Sequence, residues 1–406
     1  MKQYIGIDIA KHEHVAASRY EDGEAHGKAF SFSNDEKGFA SLLERFRELG
    51  ATPEGCLVVM ESTGHYWMAL WEFLYLHGFD IAVVNPVLTD AFRKADTLRK
   101  TKTDEVDAFL IAEYARFKNL GPTRVSVEDA EGLKQLTRYR HHLVSERTAL
   151  KNRLTSVADR TFPELAGLFS NKNSATARAI LREFGSAEKV AGTDIRTLTK
   201  VVKEASRGHF GRAKADEVKA AARRSVGTSF AAGALAFEAN HIVELIAHLD
   251  KEIGKLDAEI ARLIDPEVGE LLQSIPGIGP TCAAVIAAEV GDPDRFDEPK
   301  KLMAYAGMES SKSQSGKFDG DQQHMSKRGS APLRNALMTA ADRARQYDPY
   351  FGDYYDSLVA RGKHHYVAVS GCARKLCGVI LAVLRERRPY EPRPSIQSQQ
   401  KQPSEG

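Results

Sequence analysis

Two short apolar runs, each closed by a carboxylate, constrain the fold most: Tyr4-Ile5-Gly6-Ile7-Asp8 and Leu57-Val58-Val59-Met60-Glu61. Runs this short and this apolar read as central strands buried on both faces, so Asp8 and Glu61 fall at the carboxyl ends of strands. A third stretch, Lys102-Thr103-Asp104-Glu105-Val106-Asp107-Ala108, spaces two acids three apart, which puts them on one face of a helix. Like charges that close are unfavourable unless a cation lies between them or one is protonated. If Asp8 and Glu61 converge on Asp104 and Asp107, the four make an all-oxygen site suited to a hard divalent ion such as Mg2+. Such a site serves phosphodiester chemistry.

At 406 residues the chain is too long for one core and is expected to split into two or three domains. The formal charge of +2 is nearly neutral, so a nucleic-acid surface must come from local clusters of Lys and Arg. Cys56, Cys282, Cys372 and Cys377 are scattered with no CxxC pair, which argues against a structural zinc and against a disulfide framework. A reducing, cytoplasmic setting is expected. The N-terminus lacks the pattern of a signal peptide, and no apolar run is read as reaching the roughly 20 residues that span a bilayer.

In chain order, strands are expected over Gln3 to Ile9, His14 to Arg19 and Lys28 to Ser33, with a turn at Asp22-Gly23. Ser33-Asn34-Asp35-Glu36 caps a helix to about Leu49. Cys56 to Met60 is the next strand, Trp67 and Trp71 share a helix face expected against the sheet, and Asp80 to Asn85 is a strand closed by Pro86. This order is the one expected of an RNase H-like α/β domain. In the middle, Leu136, Leu143, Leu150 and Val157 recur every seven residues. Ile242, Ile246, Leu249, Ile253, Leu256, Ile260 and Leu263 alternate in steps of four and three, the pattern of a coiled coil. A hairpin folded on itself and a dimerisation stalk both fit. Between them, Lys200, Lys203, Arg207, Arg212, Lys214, Lys219, Arg223 and Arg224 form basic patches, open to nucleic-acid contact or to the plain reading of a solvated face. Leu271 to Pro280, with Pro276-Gly277-Ile278-Gly279 as its turn, followed by Ala283 to Val290, reads as a helix-hairpin-helix whose glycines let backbone N–H groups approach a phosphate. Helices are expected over Pro332 to Gln346, Tyr350 to Ala360 and Val367 to Arg385, and a Pro-, Gln- and Ser-rich tail ends the chain.

Taken together, Gly6-Ile7-Asp8, Glu61-Ser62-Thr63-Gly64, Lys102 to Ala108, the Pro-Gly-Ile-Gly turn, Ala306-Gly307-Met308 with Gln314-Ser315-Gly316, and Ser326-Lys327-Arg328-Gly329 with Leu333-Arg334 resemble the DEDD insertion-sequence transposases. This is the IS110 group, which includes the Piv pilin-gene invertase. The resemblance runs from about Lys2 to Arg388 with every motif in order. It implies a RuvC-like (RNase H-like) N-terminal domain over residues 1–120, a helical, coiled-coil middle over 121–265, and a helical C-terminal transposase domain over 266–390. Residues 391–406 would be a disordered tail. It implies catalytic and metal-binding roles for Asp8, Glu61, Asp104 and Asp107, Mg2+ as cofactor, and Ser315 as a nucleophile joined covalently to a DNA phosphate, with Ser326 the other candidate. It further implies DNA and a structured noncoding guide (bridge) RNA as partners, and a homo-oligomer, a dimer or tetramer.

Plain readings stand beside these. Asp8 can end a strand as a turn residue, and Asp104 with Asp107 can serve a helix N-terminus through the dipole. His65 and Tyr66 can pack, and His324, His364 and His365 lack metal spacing. A metal-dependent RuvC-type nuclease would need the four acids but not Ser315. A non-catalytic nucleic-acid scaffold would need neither.

Overall fold

The computed structural model describes residues 2–96, 103–123, 128–309, 314–315, 318–319 and 325–393. The chain divides into two compact units, Met1–Val125 and Ser126–Gly406.

The first unit is built on a five-stranded sheet of β1 (Gln3–Asp8), β2 (Glu13–Tyr20), β3 (Phe30–Ser33), β4 (Cys56–Glu61) and β5 (Asp80–Val84) in the order β3-β2-β1-β4-β5. β1 to β3 form an antiparallel meander, and β4 and β5 add in parallel beside β1. The mixed sheet agrees with the α/β domain expected from the order of strands. Its helices are α1 (Glu36–Glu48), α2 (Trp67–Leu76), α3 (Pro86–Asp96) and α4 (Asp104–Phe117).

Alternation along the strands sorts the two faces. Ile5, Ile7, Val58 and Met60 pack with Phe39, Leu42 and Phe46 of α1 and Leu70 and Leu74 of α2. Tyr4, Leu57, Val59 and Val84 point the other way, onto Ile111, Ala112, Tyr114 and Ala115 of α4. Trp67 and Trp71 pack half-buried against this same core, as expected, while Leu70 and Leu74 of α2 are fully buried in it and Trp71 also stacks on Tyr75. Gly6 lies in the row of Tyr4, and a Cβ there would sit 2.2 Å from Ala108 O and 2.4 Å from Ala112 N. Only glycine lets the α4 backbone settle this close to β1.

Among its described residues, the second unit is helical apart from the short pair β6 (Gln314–Ser315) and β7 (Phe318–Asp319). Its long helices, α5 (Glu128–Thr161) and α10 (Ala232–Leu263), run antiparallel along each other within one chain. Arg147–Asp250 (2.7 Å), Arg153–Glu238 (2.8 Å) and Arg140–Asp257 bridge them. At one end α6 (Ala175–Phe184), α7 (Ala187–Gly192), α8 (Ile195–Ala205) and α9 (Arg212–Arg223) close a core of Leu154, Phe162, Ile180, Leu198 and Val218. In the basic patches, Arg212 and Lys214 pair with Asp216 and Glu217, and Lys219 donates to Thr193 O.

Then follow α11 (Pro266–Gln273), α12 (Pro280–Val290), α13 (Pro299–Tyr305), α14 (Ala331–Tyr347), α15 (Pro349–Ala360) and α16 (His365–Glu386), around one apolar core. Helix α16 corrects the reading that no apolar run is long enough for a bilayer: its 22 residues meet that length and apolarity. Its apolar residues are instead spent inside the protein, where Val369, Cys372, Leu376, Ile380 and Val383 are buried in this core. Residues 394–406, most of the expected tail, lie outside the described residues.

Candidate active site

Ile7 pairs with Met60 in the parallel register, so Asp8 and Glu61 are the next residues of neighbouring strands. Carboxyl ends of parallel strands are where α/β sheets place ligands. Strand alternation turns both acids toward the face that α4 covers. The third contribution is α4 itself. Thr103 caps it, its side chain accepting from Val106 N at 3.3 Å, and the first turn carries Asp104, Glu105 and Asp107. The fit at Gly6 draws this turn toward the end of β1.

The result is a cleft of about 380 Å³ lined by Asp8, Ile9, Glu61, Thr63, Pro86, Asp90, Arg93, Asp104 and Asp107. All four acids proposed from the sequence line it. Among the described residues, no three His, Cys, Asp or Glu side chains are gathered tightly enough to hold one ion as they stand. Two side chains of α3 engage two of these acids. Thr89, fully buried, donates to Glu61 Oε1, with Pro86 O as a second acceptor at 3.0 Å for its single proton. Arg93 Nη2 lies 2.8 Å from Asp107 Oδ1. That contact is ionic without hydrogen-bond alignment, since Asp107 Oδ1 and Arg93 Nε are both buried with no hydrogen-bond partner.

Helix α3 is absent from the sequence expectations, and with it Thr89, Asp90 and Arg93. Pro86 reads there as a strand terminator, yet proline is equally at home at the first position of a helix. That was the available signal.

The remaining proposed residue, Ser315, belongs to the second unit. Its backbone pairs with Phe318, and its side chain lies outside the described residues, as do Lys312, Gly316, Lys317 and His324. What is described is the neck of the segment that carries it. Ser330 N donates to Tyr305 O (2.8 Å), Lys327 N to Gly307 O (2.9 Å) and Ser326 N to Glu309 O (2.8 Å). Arg334 Nη1 donates to Ala306 O at 2.9 Å. A Cβ at Gly329 would meet Tyr305 O at 2.4 Å. The Ala-Gly-Met and Ser-Lys-Arg-Gly stretches thus interlock, and the intervening residues leave and return at one place. Ser326 sits at that neck, with Lys327 and Arg328 beside it.

The Pro-Gly-Ile-Gly turn divides its glycines. Gly277 (φ +92°) packs on α14, where a Cβ would be 2.5 Å from both Ala340 O and Ala344 N. Gly279 caps α12 with nothing within 4 Å of such a Cβ. Close helix packing explains the first glycine, and open backbone surrounds the second. His364 caps α16, and His365 Nδ1 lies 2.8 Å from the Tyr355 hydroxyl.

Comparison with known proteins gives two family matches. A model of DEDD type for the IS110 group, described as "Transposase", matches residues 5–163, and one described as "Transposase IS116/IS110/IS902 family" matches residues 269–356. The chain is 28% identical over 404 residues to an insertion element IS116 uncharacterized 44.8 kDa protein of Streptomyces clavuligerus, covering 97% of each chain. It is 24% identical to the pilin gene-inverting protein of Moraxella bovis, covering 97% of this chain and 98% of that one. To the mini-circle putative transposase for IS117 of Streptomyces coelicolor it is 24% identical, covering 96% and 95%.

Proposed function

This chain belongs to the IS110 family of insertion-sequence transposases, and we propose that it cuts and rejoins DNA through a covalent serine–phosphate intermediate, with Asp8, Glu61, Asp104 and Asp107 as ligands of a divalent ion, Mg2+. The observation that carries this reading is the meeting of four acids from three separate segments in one cleft. Their chemistry fits the ion: the donors are hard oxygens, and Asp107 Oδ1 is buried with no hydrogen bond to give up. When bound, the ion would offset charge on a phosphodiester and polarise its P–O bond.

Ser315 supplies the nucleophile. Its Oγ forms a bond to phosphorus while a P–O bond to deoxyribose breaks, the serine proton passes to a base, and a strand ending in a hydroxyl is released. A serine hydroxyl is weak at its free pKa and needs such a base or a strong field. Lys327 and Arg328, at the neck of the segment, are placed by sequence to offset phosphate charge. The serine ester keeps the energy of the broken bond, so a second hydroxyl-ended strand displaces serine without ATP. The first unit is read as a RuvC-like domain. Family membership also supports a structured noncoding guide RNA as the partner that selects DNA by pairing, and a dimer or tetramer in which separate copies complete the site.

The test incubates full-length protein with labelled donor DNA and Mg2+ and resolves the products on denaturing gels. A protein–DNA band that protease removes is expected, lost in Ser315→Ala and in Asp104→Asn. Loss in Ser326→Ala with retention in Ser315→Ala would transfer the nucleophile to Ser326. Cleavage with no such band from the wild type would overturn the covalent route in favour of hydrolysis. Sequencing RNA that copurifies tests the guide: a discrete structured species is expected, and its absence overturns that part.

A further inference from the structure

Thr89 and Arg93 stand four apart on α3, so both face the same way, and each meets one of the four acids. The Arg93 side chain is 20% exposed and that of Asp107 is 7% exposed, so the pair interacts largely out of bulk water, where charges act far more strongly. The cleft needs such a partner. Among the described residues, its lining holds Asp8, Glu61, Asp90, Asp104 and Asp107, with Arg93 as the basic residue beside them. Lys94, the next residue of α3, is exposed and pairs with Asp90 at 2.7 Å. A buried carboxylate such as Asp107 is costly without a counter-charge.

The Arg93–Asp107 contact nevertheless falls short of a bidentate fork, in which two aligned N–H groups satisfy both oxygens. Asp107 Oδ1 and Arg93 Nε both stay without hydrogen bonds while buried. A pair with an orphaned atom on each side neutralises charge but is held less firmly than a fully bonded one. It is a pairing that a stronger cation can replace.

We infer that Arg93 is the counter-cation of the acidic cleft and competes with the divalent ion for Asp107, so that ion binding releases the guanidinium. This rests on the reading of the four acids as the ion's ligands. Two effects share one sign: the ion must displace Arg93 from Asp107, and a nearby positive charge repels it. Were Arg93 instead a prop that orients Asp107 for the ion, its loss would weaken binding, as loss of supporting partners around metal ligands generally does. The direction of the change therefore separates competitor from prop.

The experiment titrates the full-length chain with Mn2+ alone, reading free ion by electron paramagnetic resonance. Arg93→Gln is expected to bind Mn2+ about tenfold tighter than wild type or better, and Arg93→Lys, which keeps the charge, to stay within about threefold. Equal or weaker binding by Arg93→Gln overturns the proposal. If that variant does not fold, Arg93→Met takes its place with the same expectation, and equal or weaker Mn2+ binding by it overturns the proposal. Asp104→Asn and Asp107→Asn test the foundation separately. Mn2+ binding unchanged in both overturns the ligand assignment and the Arg93 role with it, whereas weakened binding there with no gain in Arg93→Gln refutes the Arg93 role alone.

Discussion

Gly6→Ala is the smallest change that should dismantle the cleft. The added methyl would lie 2.2 Å from Ala108 O, 2.4 Å from Ala112 N and 3.1 Å from Ala112 Cα. All three are backbone atoms, so no side chain can swing aside. Restoring ordinary contact requires α4 to retreat from β1 by about 1 Å. Overpacking of a tight interface costs about 1–3 kcal/mol, and a contact with helix backbone belongs at the upper end. The same retreat carries Asp104 and Asp107 of the first turn away from Asp8. A misplacement of that size lowers catalytic rates on the order of 100-fold. Hydrogen exchange of β1 and α4 amides should accelerate in Gly6→Ala, and the covalent DNA band should fall in step. Gly121→Ala, where nothing lies within 4 Å of the new methyl, is the control and should match wild type. Exchange and adduct formation at wild-type levels in Gly6→Ala would refute the claim that this contact sets the position of α4.

Three further outcomes follow from the helical unit. Glu289 is fully buried and takes Arg138 Nε and Nη2 at 2.7 and 3.1 Å and the Tyr305 hydroxyl at 3.1 Å. Arg138→Met should destabilise this unit by about 3–5 kcal/mol in urea unfolding, because it strands a buried carboxylate. Burial pushes the Glu289 carboxyl up, but the Arg138 hydrogen bonds and charge, with Lys134 and Tyr305, more than offset it and leave the group below its ordinary range. A depressed folded-state pKa gives stability that is present above the unfolded value and lost as pH falls through the folded one. The gap between wild type and Glu289→Gln should therefore shrink on acidification below the ordinary carboxylate range, and a gap constant with pH would count against the pairing. Gly254→Ala, inside α10 with open space around the new methyl, should stabilise by about 0.5–1 kcal/mol through helix propensity, read as a higher urea midpoint.

Much of the first unit is legible in the chain itself. Asp8 and Glu61 close strands as read, and Asp104 and Asp107 open a helix as read. Local chemistry explains this: apolar runs make buried strands, and a Thr cap followed by acids makes a helix start. Helix α3 escaped because its apolar periodicity is not a core signature, since Val87 and Leu88 are half exposed. Gly277 escaped because a glycine that admits a helix backbone looks, in sequence, like one that admits a phosphate.

What the amino-acid order determines by itself is therefore the set of parts: strand ends carrying acids, a capped acidic helix, and long helices with heptad spacing. What only the tertiary structure decided is their meeting. Four carboxylates spread from Asp8 to Asp107 share a cleft because β1 and β4 are adjacent in parallel and Gly6 lets α4 lie against them. Arg93 became the partner of Asp107 for the same reason. Charge pairing depends on distance through space, and distance through space is set by packing that no local window of sequence contains.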